Sequence, residues 1–158
     1  MGEDRPASGE PELRKTRRRL PHWSLAEGVY FITFRLARGS LAPEERGVVL
    51  EHIRSGRGRY YRLGAVVVMP DHVHLILRPE AGYSLSRIMK GIKGASARML
   101  NQRQGATGVV WRDESWDRIL RDEDELHRTL EYLAGNPLRA GLCESPEDYP
   151  WLFVAKDF

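Results

Sequence analysis

The chain has 158 residues, 41% apolar and 30% charged, with 25 Lys+Arg against 22 Asp+Glu and a net charge of +3. That balance fits one globular domain large enough to bury a real core. No run approaches the roughly 20 apolar residues of a membrane span, and a lone cysteine, Cys143, excludes an intrachain disulfide.

The cysteine count suits a reducing, cytoplasmic setting, and Cys143 reads as a small packing residue near the C-terminal turn. Residues 1–13 are polar, carry Pro6, Gly9 and Pro11, and predict a flexible tail without the apolar core of a signal peptide. One domain is expected over residues 14–158, opening on a basic arm at 14–23. Within that arm Arg14, Lys15, Arg17, Arg18 and Arg19 put five positive charges into six positions. Such runs favour polyanionic partners, although a solvated tail has the same composition.

Residues 29–36 are aromatic and β-branched and predict a strand. Residues 43–53 predict a helix, with Pro43 in the first turn and Glu44 and Glu45 against the positive end of its dipole. Strands follow over 60–69 and from 72 to 77, broken by Pro70-Asp71. A link that short permits only an antiparallel hairpin. Residues 84–102 predict a helix whose apolar stripe, with Leu85, Ile88, Met89, Ile92, Met99 and Leu100, reads as core. Arg87, Lys90, Lys93, Arg98 and Arg103 lie mostly between those positions. Residues 109–111 and 116–120 predict two short strands, or one strand with an irregular start. A last helix is expected over 123–135, stopped by Pro137. The aromatic tail, with Tyr149, Trp151 and Phe153, is expected to pack back on the body. The order β-α-β-β-α-β followed by a C-terminal helix predicts an α+β, ferredoxin-like split βαβ fold: an antiparallel sheet with helices on one face.

Two segments carry chemistry. In Pro70-Asp71-His72-Val73-His74-Leu75 the histidines are two apart, so a strand presents both imidazoles on one face. Burying two polar rings in an apolar strand is costly, and a divalent cation would satisfy one nitrogen of each. A third ligand is then needed. In the last helix Leu126, Leu130 and Leu133 define the buried stripe, while Tyr132 and Asn136, four apart, point together to its side. Separately, each residue has a structural explanation: a core histidine pair, an amphipathic tyrosine, an asparagine at a helix stop. Together they suggest Tyr132 as a nucleophile on a DNA phosphodiester, with His72, His74 and Asn136 holding the cation. A phenol ionises only near pH about 10, so a cation or base must assist it. The product would be a 5′-phosphotyrosine and a free 3′-OH, which can be rejoined.

With those residues in place the chain resembles the REP-associated tyrosine transposases, relatives of the single-tyrosine HUH transposases. The resemblance runs from about Arg18 to Trp151. It rests on Arg18-Arg19-Leu20-Pro21-His22-Trp23, the Met69-Pro70-Asp71-His72-Val73-His74 block, Ser84 to Lys90, Val110-Trp111, Arg118 to Asp122, and Tyr132 with Asn136-Pro137-Leu138-Arg139-Ala140-Gly141. It departs at Gly135, where a bulkier apolar residue is common. The resemblance implies that His72 and His74 are the HUH pair, Tyr132 the catalytic tyrosine and Asn136 the third metal ligand, with Mg²⁺ or Mn²⁺ as cofactor. It also implies single-stranded DNA, often a hairpin of repetitive extragenic palindromes, as substrate, and a monomer, with a dimer as the alternative. On this reading Arg14, Lys15, Arg17, Arg18, Arg19, Arg87, Lys90, Lys93 and Arg98 are expected along the DNA backbone. His22 and Trp23, and by the same argument Trp111 and Trp116, offer stacking surfaces. The rivals are a non-catalytic DNA- or RNA-binding module on the same scaffold and a phosphodiesterase that uses water.

Overall fold

A computed structural model describes Leu20 and residues 23–158. The elements run β1 (Tyr30–Leu36), α1 (Pro43–Ser55), β2 (Tyr61–Val68), β3 (His72–Pro79), α2 (Leu85–Gln104), β4 (Trp111–Ile119), α3 (Glu123–Arg139), a 3₁₀ turn (Pro146–Asp148) and β5 (Leu152–Val154). The strands form one sheet in the order β4-β1-β3-β2-β5, with every pairing antiparallel.

Local chemistry sets the element ends. The Ala42 N–H donates to Glu45 at 2.7 Å and opens α1. Ser84 accepts the Arg87 N–H at 3.1 Å and caps α2, which Gly105 ends in the left-handed region at φ 62. Asp122 accepts the Glu125 N–H at 2.8 Å and caps α3, whose first turn is acidic throughout.

The sheet is buried on both sides. α1 and α2 cover one face, over Ile32, Phe34, Leu63, Val66, Val73, Leu75 and Leu77. α3 covers the other with Leu126, Leu130 and Leu133, over Phe31, Ala65, Val67 and Ile76. The alternation of β2 changes phase at Gly64, where its register against β3 shifts. A Cβ there would lie 3.0 Å from the indole of Trp23, so any larger residue would have to push that buried ring aside by a few tenths of an ångström.

The predicted fold class and element order hold, and the segment after α2 is the second of its two readings, one strand, β4, with a register shift near its start. Two expectations are corrected. The C-terminal tail contributes a fifth strand, pairing Leu152–Val154 with β2. Pro137 does not stop the last helix, which runs on to Arg139. Proline removes one ladder bond and crowds the carbonyl four residues back. Only two residues follow it in α3, and Ala140 N–H still reaches Asn136 O at 3.1 Å.

Candidate active site

Strand register assembles the site. Trp116 of β4, Thr33 of β1, His74 of β3 and Val67 of β2 lie directly opposite one another in one row across the sheet. The next row pairs Arg118, Phe31, Ile76 and Ala65. Arg35 lies opposite His72. All of these belong to the face covered by α3, because positions two apart along a strand share a side.

The two imidazoles are 4.7 Å apart between ring centroids. Each uses Nδ1 for a partner within the protein. His74 Nδ1 is 2.7 Å from the Thr33 hydroxyl, and His72 Nδ1 is 2.7 Å from a carboxylate oxygen of Asp71. Among the described residues no hydrogen bond engages Nε2 of either ring, which leaves it for another ligand. A carboxylate or hydroxyl behind the ring is the arrangement that fixes orientation in metal-binding histidines. Burial, aided by His72, Arg35 and Arg139, pushes His74 from 6.5 down to about 3, so it is neutral and able to ligate at ordinary pH. The hydrogen bond from His72 holds the Asp71 carboxyl below its usual range. Among the described residues no cluster of three His, Cys, Asp or Glu could hold a metal. Any third protein ligand would be of another type, and Asn136, buried one turn beyond Tyr132 on α3, is the candidate the sequence offers.

α3 brings the tyrosine in from above. Leu126, Leu130 and Leu133 are fully buried, while Tyr132 flanks them at 47% exposure. Its ring meets His74 edge-on at 5.7 Å and Phe31 at 6.2 Å. Asn136, one turn further along the same side, is buried. Arg139 completes that side: its guanidinium lies 4.4 Å over the Tyr132 ring and donates to the Tyr132 carbonyl. Arg139 is a site residue that the sequence reading missed. It is seven positions after Tyr132, two helical turns, and carrying the helix past Pro137 reveals it.

A cleft of about 470 Å³ opens between α3 and the sheet, lined by Phe31, Thr33, Arg35, His74, Trp116, Arg118 and Tyr132. It is basic. Arg118 pairs with Glu125 and lies 5.8 Å over the Phe31 ring.

Other expected DNA contacts fall elsewhere. Trp23 is a core residue at 2% exposure, packed on the Gly64 bulge and on Phe158 at 4.8 Å. Trp111 is also core, with its indole N–H donating to Ser96 at 2.9 Å. Lys93 is a tie between elements: its ammonium donates to the Arg112 and Asp113 carbonyls at 2.7 and 2.9 Å and to Ser115 at 3.1 Å. Arg87, Lys90 and Arg98 are exposed on α2, across the sheet from Tyr132. They line a separate groove of about 490 Å³ with His52, Tyr60 and Tyr83. Arg14, Lys15, Arg17, Arg18, Arg19 and His22 lie outside the described residues.

Residues 50–120 match the family described as IS200-like transposase. A REP-associated tyrosine transposase of Escherichia coli K12 is 26% identical over 136 residues, covering 82% of this chain and 78% of that protein. A Haemophilus influenzae protein assigned to the same group is 23% identical over 148 residues, covering 82% of this chain and 81% of that protein. Among solved structures, a REP-associated tyrosine transposase bound to a REP hairpin shares the fold, with a TM-score of 0.66 at 22% identity over 96% of this chain and 82% of that one. The resemblance drawn from the motifs is borne out by these similarities.

Proposed function

From its homology to the REP-associated tyrosine transposases, we propose that the protein nicks single-stranded DNA and transfers the cut strand through a 5′-phosphotyrosine on Tyr132. Hairpins of repetitive extragenic palindromes are the proposed substrate class. One observation carries the reading: an exposed Tyr132 stands 5.7 Å from the neutral, oriented His74 in an open basic cleft.

The Tyr132 oxygen attacks the scissile phosphorus and loses its proton. The bond from phosphorus to the 3′ oxygen breaks, and that oxygen leaves as a 3′-OH. One ester replaces another, so a second 3′-OH can reverse the step and join a new strand. Arg35 and Arg118 offset the phosphate charge from the sheet side. Arg139, stacked on the phenol ring and bonded to its own helix, holds Tyr132 over the cleft. His72, His74 and Asn136 would hold Mg²⁺ or Mn²⁺, which when bound polarises the phosphate and offsets its charge. Asp71 and Thr33 fix the two imidazoles for that task. Tyr132 meets His74 within one chain, which supports a site built in cis.

The test is a denaturing gel for a covalent adduct between the protein and labelled hairpin DNA, with Mn²⁺ or with chelator. The reading expects a metal-dependent adduct that disappears in Tyr132→Phe. An adduct that persists in that variant removes Tyr132 from the role. Hairpin binding without any adduct, under every divalent ion tried, favours the non-catalytic module.

A further inference from the structure

Trp116 stands apart from the other tryptophans. Trp23 and Trp111 are buried and Trp151 packs against both cores, whereas Trp116 is 54% exposed. Its surroundings give that exposure a purpose. It lines the same cleft as His74 and Tyr132. Its ring meets Phe31 edge-on at 6.0 Å, and Phe31 in turn stacks on His74 at 5.4 Å and supports Tyr132 at 6.2 Å. One buried phenyl ring therefore seats all three. Arg118, fixed by its ion pair with Glu125, lies 6.0 Å from the Trp116 ring on the cleft side. Trp116 is two strands from His74 in a common row, a separation of about 10 Å.

We propose that Trp116 is a stacking platform for a base of the single-stranded segment beside the scissile phosphate. The proposal rests on Tyr132 as the nucleophile and adds how the strand is placed under it. A base presents a π-face whatever its identity, so an aromatic platform next to a cation holds unpaired DNA without reading sequence. Thr33 and Phe31, between Trp116 and His74, keep the path short and flat. The hairpin stem lies outside this contact, and only the unpaired flank reaches the ring.

The experiment uses the full chain carrying Tyr132→Phe, so that bound DNA stays intact, with two ligands: a REP hairpin with a single-stranded flank and the same hairpin without it. Flanked DNA is expected to quench tryptophan emission in this background, and the quench is expected to vanish when Trp116→Phe is added. Trp116→Ala is expected to weaken binding of the flanked hairpin by about five- to 150-fold and to leave the bare hairpin within twofold. The Phe variant keeps a ring and guards against misreading a fold defect, and it is expected to retain most of the affinity. Equal affinity for the flanked hairpin in Trp116→Ala, or a full quench in Trp116→Phe, overturns the proposal. Failure of the nucleophile reading shows separately, as an absent adduct in protein that keeps Tyr132. In that case a flank-dependent loss in Trp116→Ala still establishes the platform.

Discussion

β3 presents two different surfaces to the two layers that enclose it. Toward α1 and α2 it offers Val73, Leu75 and Leu77, all fully buried among aliphatic neighbours. Toward α3 it offers His72, His74 and Ile76, next to Thr33, Asp71, Arg139 and an exposed tyrosine. Eight residues thus divide stability from chemistry by strand parity alone. The polar side of the strand is tolerated because His74 bonds to Thr33 across the neighbouring strand and His72 to Asp71 beside it. The dry side needs none.

The sharpest contrast is removal of function without loss of fold. Tyr132→Phe is expected to reduce covalent adduct formation to background while leaving the melting temperature unchanged, since the ring is half exposed and its hydroxyl has no hydrogen bond to another protein group among those described. Parallel adduct gels and thermal melts check both halves. The opposite outcome is expected one element away. Leu75→Ala opens a cavity in the dry face and should cost about 2–5 kcal/mol, read by urea titration. His72→Ala, two positions from His74 at the rim of the site, should cost under about 1 kcal/mol yet abolish metal-dependent cleavage. A large stability loss in His72→Ala would falsify the division of labour between the two faces.

Acidification should reach the polar face first. Unfolded, the His74 imidazole gains a proton as pH falls through its ordinary 6.5, whereas folded it resists until about 3, because burial disfavours its charged form. The unfolded state therefore binds more protons between those values, and stability falls as pH drops from about 6.5 toward 3. The slope from this one group is at most about 1.4 kcal/mol per pH unit. Asp71 acts in the same direction, but only near and below the carboxylate range, since its pKa is lowered from 3.8. Over the window from about pH 6.5 to 4.5 Asp71 is silent, while His52, whose pKa burial also lowers, adds a decline of the same sign. Urea melts of metal-free protein across it should show the decline, and His74→Phe should lessen it by the His74 share. An equal slope in both proteins would assign the pH dependence elsewhere.

Legibility in the sequence follows the range of the interaction. The hairpin of β2 and β3 was readable because Pro70-Asp71 is too short for any other connection. The shared face of His72 and His74 was readable because strand parity is local. Tyr132 was placed beside the core by the angle between it and the Leu126, Leu130 and Leu133 stripe. What the sequence hid depends on register between distant segments. Thr33 and His74 are 41 positions apart, and nothing near either one pairs them. The same register separates Trp116, open in the cleft, from Trp111, buried against Phe34 at 4.7 Å, although both looked alike as aromatic residues of one segment. Arg139 was lost to a stop rule at Pro137 that the packing of α3 overrides. β5 is three residues long and shows no alternation, and only the exposed edge of β2 explains it.

The smallest predicted effect concerns two lysines three positions apart on α2. The sequence treats Lys90 and Lys93 as equivalent charges. The structure separates them: Lys90 is exposed, and Lys93 bridges three oxygens of the segment from Arg112 to Ser115. Partial burial lowers the Lys93 pKa, with Asp113 pulling against that shift. Lys93→Met removes a donor to two carbonyls and loosens β4 against α2, at an expected cost of about 1–2 kcal/mol. Lys90→Ser should change stability by less than about 0.5 kcal/mol. DNA binding is expected to reverse the order. If the α2 face follows phosphates, Lys90→Ser lowers the slope of affinity against salt by about one, and Lys93→Met changes it less because the Lys93 ammonium is held on the Arg112–Ser115 segment instead of reaching a phosphate. Equal salt slopes in wild type and Lys90→Ser would confine DNA contact to the cleft side of the sheet. The exposed cations of α2 would then be a solvated helix face, and the chemistry of this protein would lie wholly on the side that α3 covers.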